Sequence, residues 1–560
     1  MSTPRGEGLP GPPRRDDRSP APGEEGIRTA AAASGVRASL ESSPWAPLRQ
    51  RMFAWLWVGV LISGMGTWMQ TLGAQWLLVD SPNAAAVVAL VQVANTLPVM
   101  VLSVPAGVLA DSFDKRWLLF AVQVYFLLAG ASLLVLTLAG HMPPSLLLVF
   151  TLLLGVGAAV QLPAWQASTP ELVPRHQIRS AARLEMVGVN VSRAAGPALA
   201  GLVIAQFGVA AVFALNALSV IPLGIALLFW HRRPSRATSA RERFWPALRA
   251  GGRYAWHDTD VRRVLLRLAV FLLPASALWA LLPLVATRLL GVGAGGYGVM
   301  FAALGLGAIA GALVLGRVRR VLSTNATLTA AGLLMATTLL ALVVVQGFAA
   351  ALLILVAAGL AWTTTISTLV GELQLFLPGW VMARGMAIWT MVFTGCQALG
   401  AVLWGLVANQ VDLFATFVVT AVLAAAAAGT GLIWRVPDAS ADALDPLAYW
   451  GEARVALTPD PSVGPVQIAV TYTVAPEREP QWLDAMGEMR RSRLRSGATR
   501  WELYRDAEHR DRFVEQFWVS TWEEHLRQHE GRLTARDQAI EQLALSFSDP
   551  PATAVHLLPP

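Results

Sequence analysis

The stretch GVLADSFDKR, residues 107–116, sets four charged residues in six positions at the end of a long apolar run. A related stretch, GALVLGRVRR, returns 204 positions later, with Gly311 in the place of Gly107 and Arg319 and Arg320 in those of Lys115 and Arg116. The same offset carries Pro174 onto Pro378, Gly196 onto Gly400 and Gly201 onto Gly405. A chain that repeats its punctuation at a fixed interval reads as two copies of one unit.

Composition names the solvent of that unit. Charged residues make up 14% of the 560, Trp occurs 21 times, and mean hydropathy is +0.52. Such a chain is too apolar for an ordinary soluble domain. A bilayer core of about 30 Å calls for about 20 apolar residues per helix. Twelve runs of that kind are expected, near 53–79, 84–109, 117–139, 146–166, 183–205, 209–230, 264–287, 297–316, 325–345, 348–369, 384–408 and 412–434.

Cationic loops stay on the cytoplasmic side of a membrane. One set of helix ends carries Arg49, Arg51, Lys115, Arg116, Arg175, Arg179, the stretch from Arg232 to Arg263, Arg317, Arg319, Arg320 and Arg435. The opposite ends, such as DSPN, GHMPP and NQVD, carry none, and only Arg288 borders the wide one at 288–298. Both termini are thus expected in the cytoplasm, and the net charge of +7 is a topology signal with no call for nucleic acid.

Domain limits follow. Residues 1–48, rich in Pro, Gly, Ala and Arg with no apolar leader, are expected to be a disordered cytoplasmic tail. Six-helix halves at 49–230 and 264–435 flank a basic linker at 231–263. There Phe244, Trp245, Leu248, Ala255 and Trp256 alternate with Arg241, Arg243, Arg249 and Arg253, as in an amphipathic helix on a membrane surface. Residues 436–465 read as a second linker. The lone Cys396 has no partner for an internal disulfide. Lys115 is the only lysine, a bias of GC-rich bacterial genomes.

With these residues in view, GVLADSFDKR resembles the signature of the major facilitator superfamily between its second and third helices. The resemblance implies an all-α polytopic membrane protein with twelve transmembrane helices as two parallel six-helix repeats. It also implies that Asp111, with Lys115 and Arg116, latches the cytoplasmic ends of the two halves against Arg384 at the start of the eleventh helix, where a helix N-terminus favours an anion. Ser112 stands where a basic residue is common, and Leu315 replaces the carboxylate in the second copy, so the latch is one-sided. SRAAGPALAG at 192–201, with Gly196, Pro197 and Gly201, is similar to a helix-bend pattern of this superfamily's antiporters; small residues allow close helix packing. GTWMQ (66–70), PAWQASTPELVPR (163–175) and RGMA (384–387) resemble the branch that holds the enterobactin exporter and the transmembrane secretion effectors.

Polar groups inside spans mark function by default. Arg193 lies about 15 Å into the fifth span, at about 1.5 Å per residue. It points either to recognition of an acidic or catecholate substrate or to bonds with carbonyls beside the Gly-Pro bend. By resemblance Trp68, Gln70, Gln92, Asn95, Gln161, Asn190, Arg193 and Gln397 border a substrate cavity, with Trp279 and Trp362 across it. Glu185 is the intramembrane carboxylate available for proton coupling, or the partner of Arg179 and Arg183.

Beyond the spans, VQIAVTYTV alternates from Val466 as a half-buried strand does. A helix around Trp482, strands RWELYRD and RFVEQFWVS, a helix around Trp522 and a last strand at 554–558 complete a βαββαβ, ferredoxin-like unit. It resembles small monooxygenase-like domains that pair into dimeric α/β barrels, which implies a homodimer through this domain. His525 and His529 sit four apart, a spacing that can hold a metal, but with no third ligand at a recognisable spacing they read as a solvated helix face, and no metal is expected. Catalysis by this domain is the lesser reading.

No phosphate-binding GxxxxGK[ST] loop is present, which excludes an ATP-driven pump. The expected function is export of a small amphipathic molecule (siderophore, drug or secondary metabolite) across a bacterial inner membrane, driven by the proton gradient without a cofactor. A proton-coupled importer and a membrane sensor remain the alternatives.

Overall fold

The computed structural model describes residues 45–231, 244–437, 450 and 459–559; the expected tail and much of both linkers lie outside them. Twelve helices among the described residues are long and apolar enough to cross a membrane. The first half comprises α1 (Arg51–Leu77), α2 (Ala84–Ser112), α3 (Lys115–Leu138), α4 (Pro144–Leu172), α5 (Ile178–Phe207) and α6 (Val209–Phe229). The second comprises α7 (Thr259–Leu289), α8 (Ala294–Val321), α9 (Thr324–Val344), α10 (Phe348–Phe376), α11 (Met382–Gln410) and α12 (Leu413–Leu432). The 204-residue offset holds in three dimensions. Pro144, Ile178 and Val209 open α4, α5 and α6, and Phe348, Met382 and Leu413 open their counterparts.

Local chemistry explains the punctuation. The carboxylate of Asp114 accepts the backbone N–H groups of Arg116 at 2.9 Å and Trp117 at 3.4 Å, capping α3. The charged stretch therefore ends one span and begins the next. Lys115 donates to the Ala167 carbonyl and to Glu171, both at 2.8 Å, at the end of α4. In the second copy Arg319 pairs with Glu372 near the end of α10. Arg116 donates to the carbonyls of Leu227 and Leu228 at the close of α6, where a cation meets the negative helix end.

The repeated glycines mark where backbones meet. A Cβ on Gly201 would lie 2.6 Å from the Ala294 carbonyl and 2.7 Å from Cα of Gly298, so α5 presses on α8 across the two halves. Its repeat mate Gly405 presses α11 on α2, 2.9 Å from the Ala85 carbonyl. Gly196 meets Met65 and Trp68 of α1, and Gly400 meets Leu273 and Ser276 of α7. Each pair plays one role twice, as two parallel repeats require. The Gly201 and Gly405 contacts, and the 3.2 Å bond from Asn409 to Asn83, lie at the end opposite the basic loops, and those of Gly196 and Gly400 lie near mid-span. At the basic end Gly107 and Gly316 face open space.

Within the second half, Gly307 of α8 faces the Val356 carbonyl and Gly359 of α10 faces the Leu304 carbonyl, both too close for a Cβ. Backbone cannot yield as a side chain does. Gly359→Ala is expected to cost about 1–3 kcal/mol of stability through overpacking, measured as a lower unfolding temperature in detergent.

A connecting helix (Phe244–His257) precedes α7. The side chains of residues 244–250 lie outside the described ones. Surface placement alone does not describe the rest: Tyr254 and Ala255 are buried in protein while Trp256 is exposed. Tyr254 donates to the Phe376 carbonyl at 3.1 Å, and its ring meets Trp380 edge-on. The seventh span begins at Thr259, earlier than the apolar run, because Asp258 caps it through the N–H groups of Asp260 and Val261, both at 3.0 Å.

The C-terminal domain is a four-stranded antiparallel sheet of order β2-β3-β1-β4, from β1 (Val466–Thr473), β2 (Ala498–Arg505), β3 (Arg512–Val519) and β4 (Thr553–Leu557). Helices α13 (Glu479–Ser496), α14 (Trp522–Arg527) and α15 (Ala535–Leu545) complete it. Val466, Ile468, Val470 and Tyr472 face inward from β1, and Trp482, Met486 and Met489 of α13 join the same core. This is the expected βαββαβ unit.

Candidate functional site

A cavity of about 310 Å³ lies between the halves, within the range of small-molecule sites. Polar helices of the first half supply one wall. Trp68, Gln70, Thr71 and Gln75 come from α1, Gln92, Asn95 and Thr96 from α2, and Arg193 from α5. The second half supplies Trp279, Phe301, Trp362, Phe393 and Gln397. Its aromatic rings form one continuous cluster: Trp279 lies 5.3 Å from Trp362 and 5.8 Å from Phe301, and Trp362 lies 6.2 Å from Phe393.

Most of the lining amides have protein partners. Gln70 accepts from Asn216, Asn95 reaches Thr71 at 3.5 Å, and Gln92 donates to Gln397 across the halves at 3.0 Å. Tyr297 donates to Gln75 at 2.7 Å, another bond between halves. These bonds fix helix positions as much as they offer contacts to a ligand.

Two donors stand apart. The guanidinium of Arg193 packs 5.4 Å above the Trp68 ring, but its Nε has no hydrogen-bond partner and no carboxylate pairs with it among the described residues. The indole N–H of Trp279 across the cavity is likewise buried without an acceptor. Both residues also line a smaller cleft beside Gly305 and Gly359. Bonds to the carbonyls of the Gly-Pro bend, one of the two sequence readings of Arg193, do not satisfy this Nε. The site holds cationic and neutral donors that lack an acceptor.

Other expected residues fall elsewhere. Asn190 donates to the Met186 carbonyl of its own helix at 2.9 Å, and neither it nor Gln161 lies on the cavity wall. Glu185 accepts from Thr169. No cation pairs with it among the described residues, Arg183 included, and the side chain of Arg179 lies outside them. Of the expected gate, Lys115 and Arg116 bond within their own half, as above. Arg384 packs against Gly251 of the connecting helix. The side chain of Asp111 lies outside the described residues.

Sequence reasoning did not single out Phe126, Phe301 or Phe393, since a phenylalanine in an apolar span is camouflaged. It also misplaced the histidines of the C-terminal domain. His525 is 1% exposed, so the solvated-face reading fails there, and the sheet brings His556 beside His525 and His529.

Comparison with known proteins agrees with this architecture. The family model described as "Transmembrane secretion effector" matches residues 42–558. The staphyloferrin A transporter of Staphylococcus aureus is 27% identical over 183 residues, 32% of this chain and 46% of that protein. The enterobactin exporter EntS of Shigella boydii is 29% identical over 342 residues, 58% of this chain and 76% of that protein. Macrolide efflux protein A of Streptococcus pyogenes is 23% identical over 31% of this chain and 43% of its own length. The chain thus spans under half the length of some curated relatives it matches. Among solved structures, a bacterial homolog of the human lysosomal transporter Spinster superposes with a TM-score of 0.56 at 14% identity, covering 69% of this chain and 97% of that one, which speaks to fold alone. With twelve spans, a duplicated six-helix plan and a family match over nearly its whole length, the chain belongs to the transmembrane secretion effector family of major facilitator transporters.

Proposed function

We propose that the protein exports a small amphipathic anion, such as a siderophore or another acidic secondary metabolite, in exchange for protons. The observation that carries this reading is the pair of unsatisfied donors, Arg193 and Trp279, in a cavity walled by aromatic rings. A desolvated guanidinium inside a membrane is costly without a counter-charge, and an anionic, flat substrate would supply the charge, the acceptors and the ring surface. The names of the siderophore and macrolide exporters among its relatives support the outward direction.

In this reading the basic loops face the cytoplasm of a bacterial inner membrane, as the positive-inside rule favours. The packed glycine seals then close the far end, and the cavity is loaded from the cytoplasm. Asp111 and Arg384 would engage when the basic ends close, in the alternate state. Glu185, which has no cationic partner among the described residues, is the residue we assign to proton coupling; the proton gradient is the energy source. Two chains would pair through the open face of the C-terminal sheet, where Trp518, Val514, Val555 and Leu557 alternate with the inward residues.

The test is lumenal pH in inside-out vesicles challenged with catecholates, carboxylate-bearing drugs and lipophilic cations. Acidic compounds are expected to alkalinise the lumen, and Glu185→Gln to abolish that response. Alkalinisation by cations alone would refute anion export, and uptake in the opposite direction would favour the importer.

A further inference from the structure

We infer that the C-terminal domain carries a binding site for a late first-row divalent metal ion, held by the imidazoles of His525, His529 and His556. The three come from separate parts of the unit. His525 lies within α14, His529 lies in the wider π turn Gln528–Arg532 that follows, and His556 stands opposite Ile468 on β4. Their ligand atoms all lie within 4.8 Å of one another.

The spacing suits a metal. Nε2 of His525 and Nε2 of His529 are 3.2 Å apart. Two nitrogens bound at about 2.0–2.1 Å to a tetrahedral ion stand about 3.3 Å apart, so this pair already defines one edge of the polyhedron. The His525 and His556 rings are 4.9 Å apart between centroids. A modest side-chain rotation brings the third nitrogen to the same ion. π turns of this kind recur at functional sites because they turn an extra residue toward one point.

The surroundings orient the ligands. Nδ1 of His525 lies 3.2 Å from Oε1 of Gln528. An N–H donated there leaves the Nε2 lone pair of His525 directed at the site, the arrangement that outer partners impose on metal-bound imidazoles. Without a metal that lone pair accepts the Nε2 proton of His529. Metal binding requires the second ring to carry its proton on Nδ1 instead. Trp522 packs 5.3 Å from His525 and Trp450 packs 5.0 Å from His529, excluding water from two sides.

Imidazole nitrogens favour zinc, copper, nickel and iron over magnesium or calcium. Three protein ligands leave a fourth position for water or an oxygen donor, the pattern of an exchangeable site. The nearby Arg493 does not oppose a cation strongly, because Glu515 and Glu541 pair with it at 3.1 and 2.8 Å.

The test uses tag-free, full-length protein in detergent, stripped with chelator and titrated with Zn(II) and with Co(II) as an optical reporter. One ion per chain is expected, with Co(II) bands of low coordination number. His529→Gln and His556→Gln, both at part-exposed positions, should each weaken binding by more than about tenfold, and Gln528→Leu by about 10–100-fold as an outer partner. Circular dichroism confirms that each variant is folded. His509→Ala, at the exposed Asp506–Glu508–His509 group, should change nothing. No stoichiometric binding by the folded wild type, binding unaltered by His529→Gln and His556→Gln, or binding lost only with His509→Ala would each overturn the assignment.

Discussion

Arg193→Gln is expected to lower the transport rate of an acidic substrate by about 10–100-fold and that of a neutral amphipath by less than about threefold. The magnitude follows from the contact at stake. A hydrogen bond to a charged group contributes about 1.5–3 kcal/mol, and each 1.4 kcal/mol is about tenfold. Arg193→Lys should recover part of the loss: the ammonium retains the charge, but it lacks the Nε donor and the flat face that rests 5.4 Å over Trp68. Trp279→Phe keeps the ring cluster and removes one neutral donor, so its effect should be smaller, about 2–10-fold. Initial rates in inside-out vesicles with paired acidic and neutral substrates decide the matter. Thermal unfolding adds a second readout. A guanidinium held for a substrate does not stabilise the empty protein, and removing a desolvated cation should leave the unfolding temperature unchanged or higher. Equal loss for both substrates with a lower unfolding temperature would make Arg193 a structural residue.

The fold was legible because a bilayer restricts what a span can be. Backbone groups must pair within the helix, and each span needs its length of apolar residues, so twelve runs and a 204-residue repeat leave little choice of architecture. Polar residues inside such runs stand out one by one, and Trp68, Gln70, Gln92, Asn95, Arg193 and Gln397 were found on the cavity wall for that reason. Which face of its helix a residue occupies was harder to read. A span that is apolar all round has no amphipathic stripe to fix its rotation, and Gln161 and Asn190, which the sequence suggests for the cavity, do not lie on its wall. Long-range partners were illegible in a single chain. Nothing in the spacing of His525 and His529 announces His556, and nothing near Asp258 announces Arg495, 237 positions away; only the folded sheet and the docked domain bring them together.

That docking gives the second large effect. Arg495 of α13 pairs with Asp258 at 2.8 Å and with Asp537, and all three are at most 5% exposed. Asp258 also caps α7, so a single carboxylate ties the first helix of the second half to the C-terminal domain. Arg536 bonds to Asp260 at 3.1 Å, and Arg532 lies 4.9 Å over the Trp380 ring. These contacts fall on Asp258, on α7 and on the α10–α11 link, and Arg495 also lies 5.8 Å over the Tyr254 ring of the connecting helix, so the domain is docked on the second half. Arg495→Met leaves two buried carboxylates without their main counter-charge and is expected to weaken docking by about 3–5 kcal/mol. Hydrogen–deuterium exchange should rise at residues 251–258 and 479–496 and stay unchanged in α2 and α11. Adding Asp537→Asn to Arg495→Met should restore part of the loss, because one stranded charge is gone. Acid provides an independent check. Burial pushes the Asp537 carboxyl up, but Arg495, Ser492 and Thr534 outweigh it and hold it below the usual aspartate range. Its contribution is complete above about pH 4 and disappears as the pH falls through the lowered value. Asp537 should therefore contribute no pH dependence to docking between pH 5 and 8 in the wild type. Exchange that remained slow in Arg495→Met would show that the apolar contacts around Tyr254 and Trp380 hold the domain without the ion pairs.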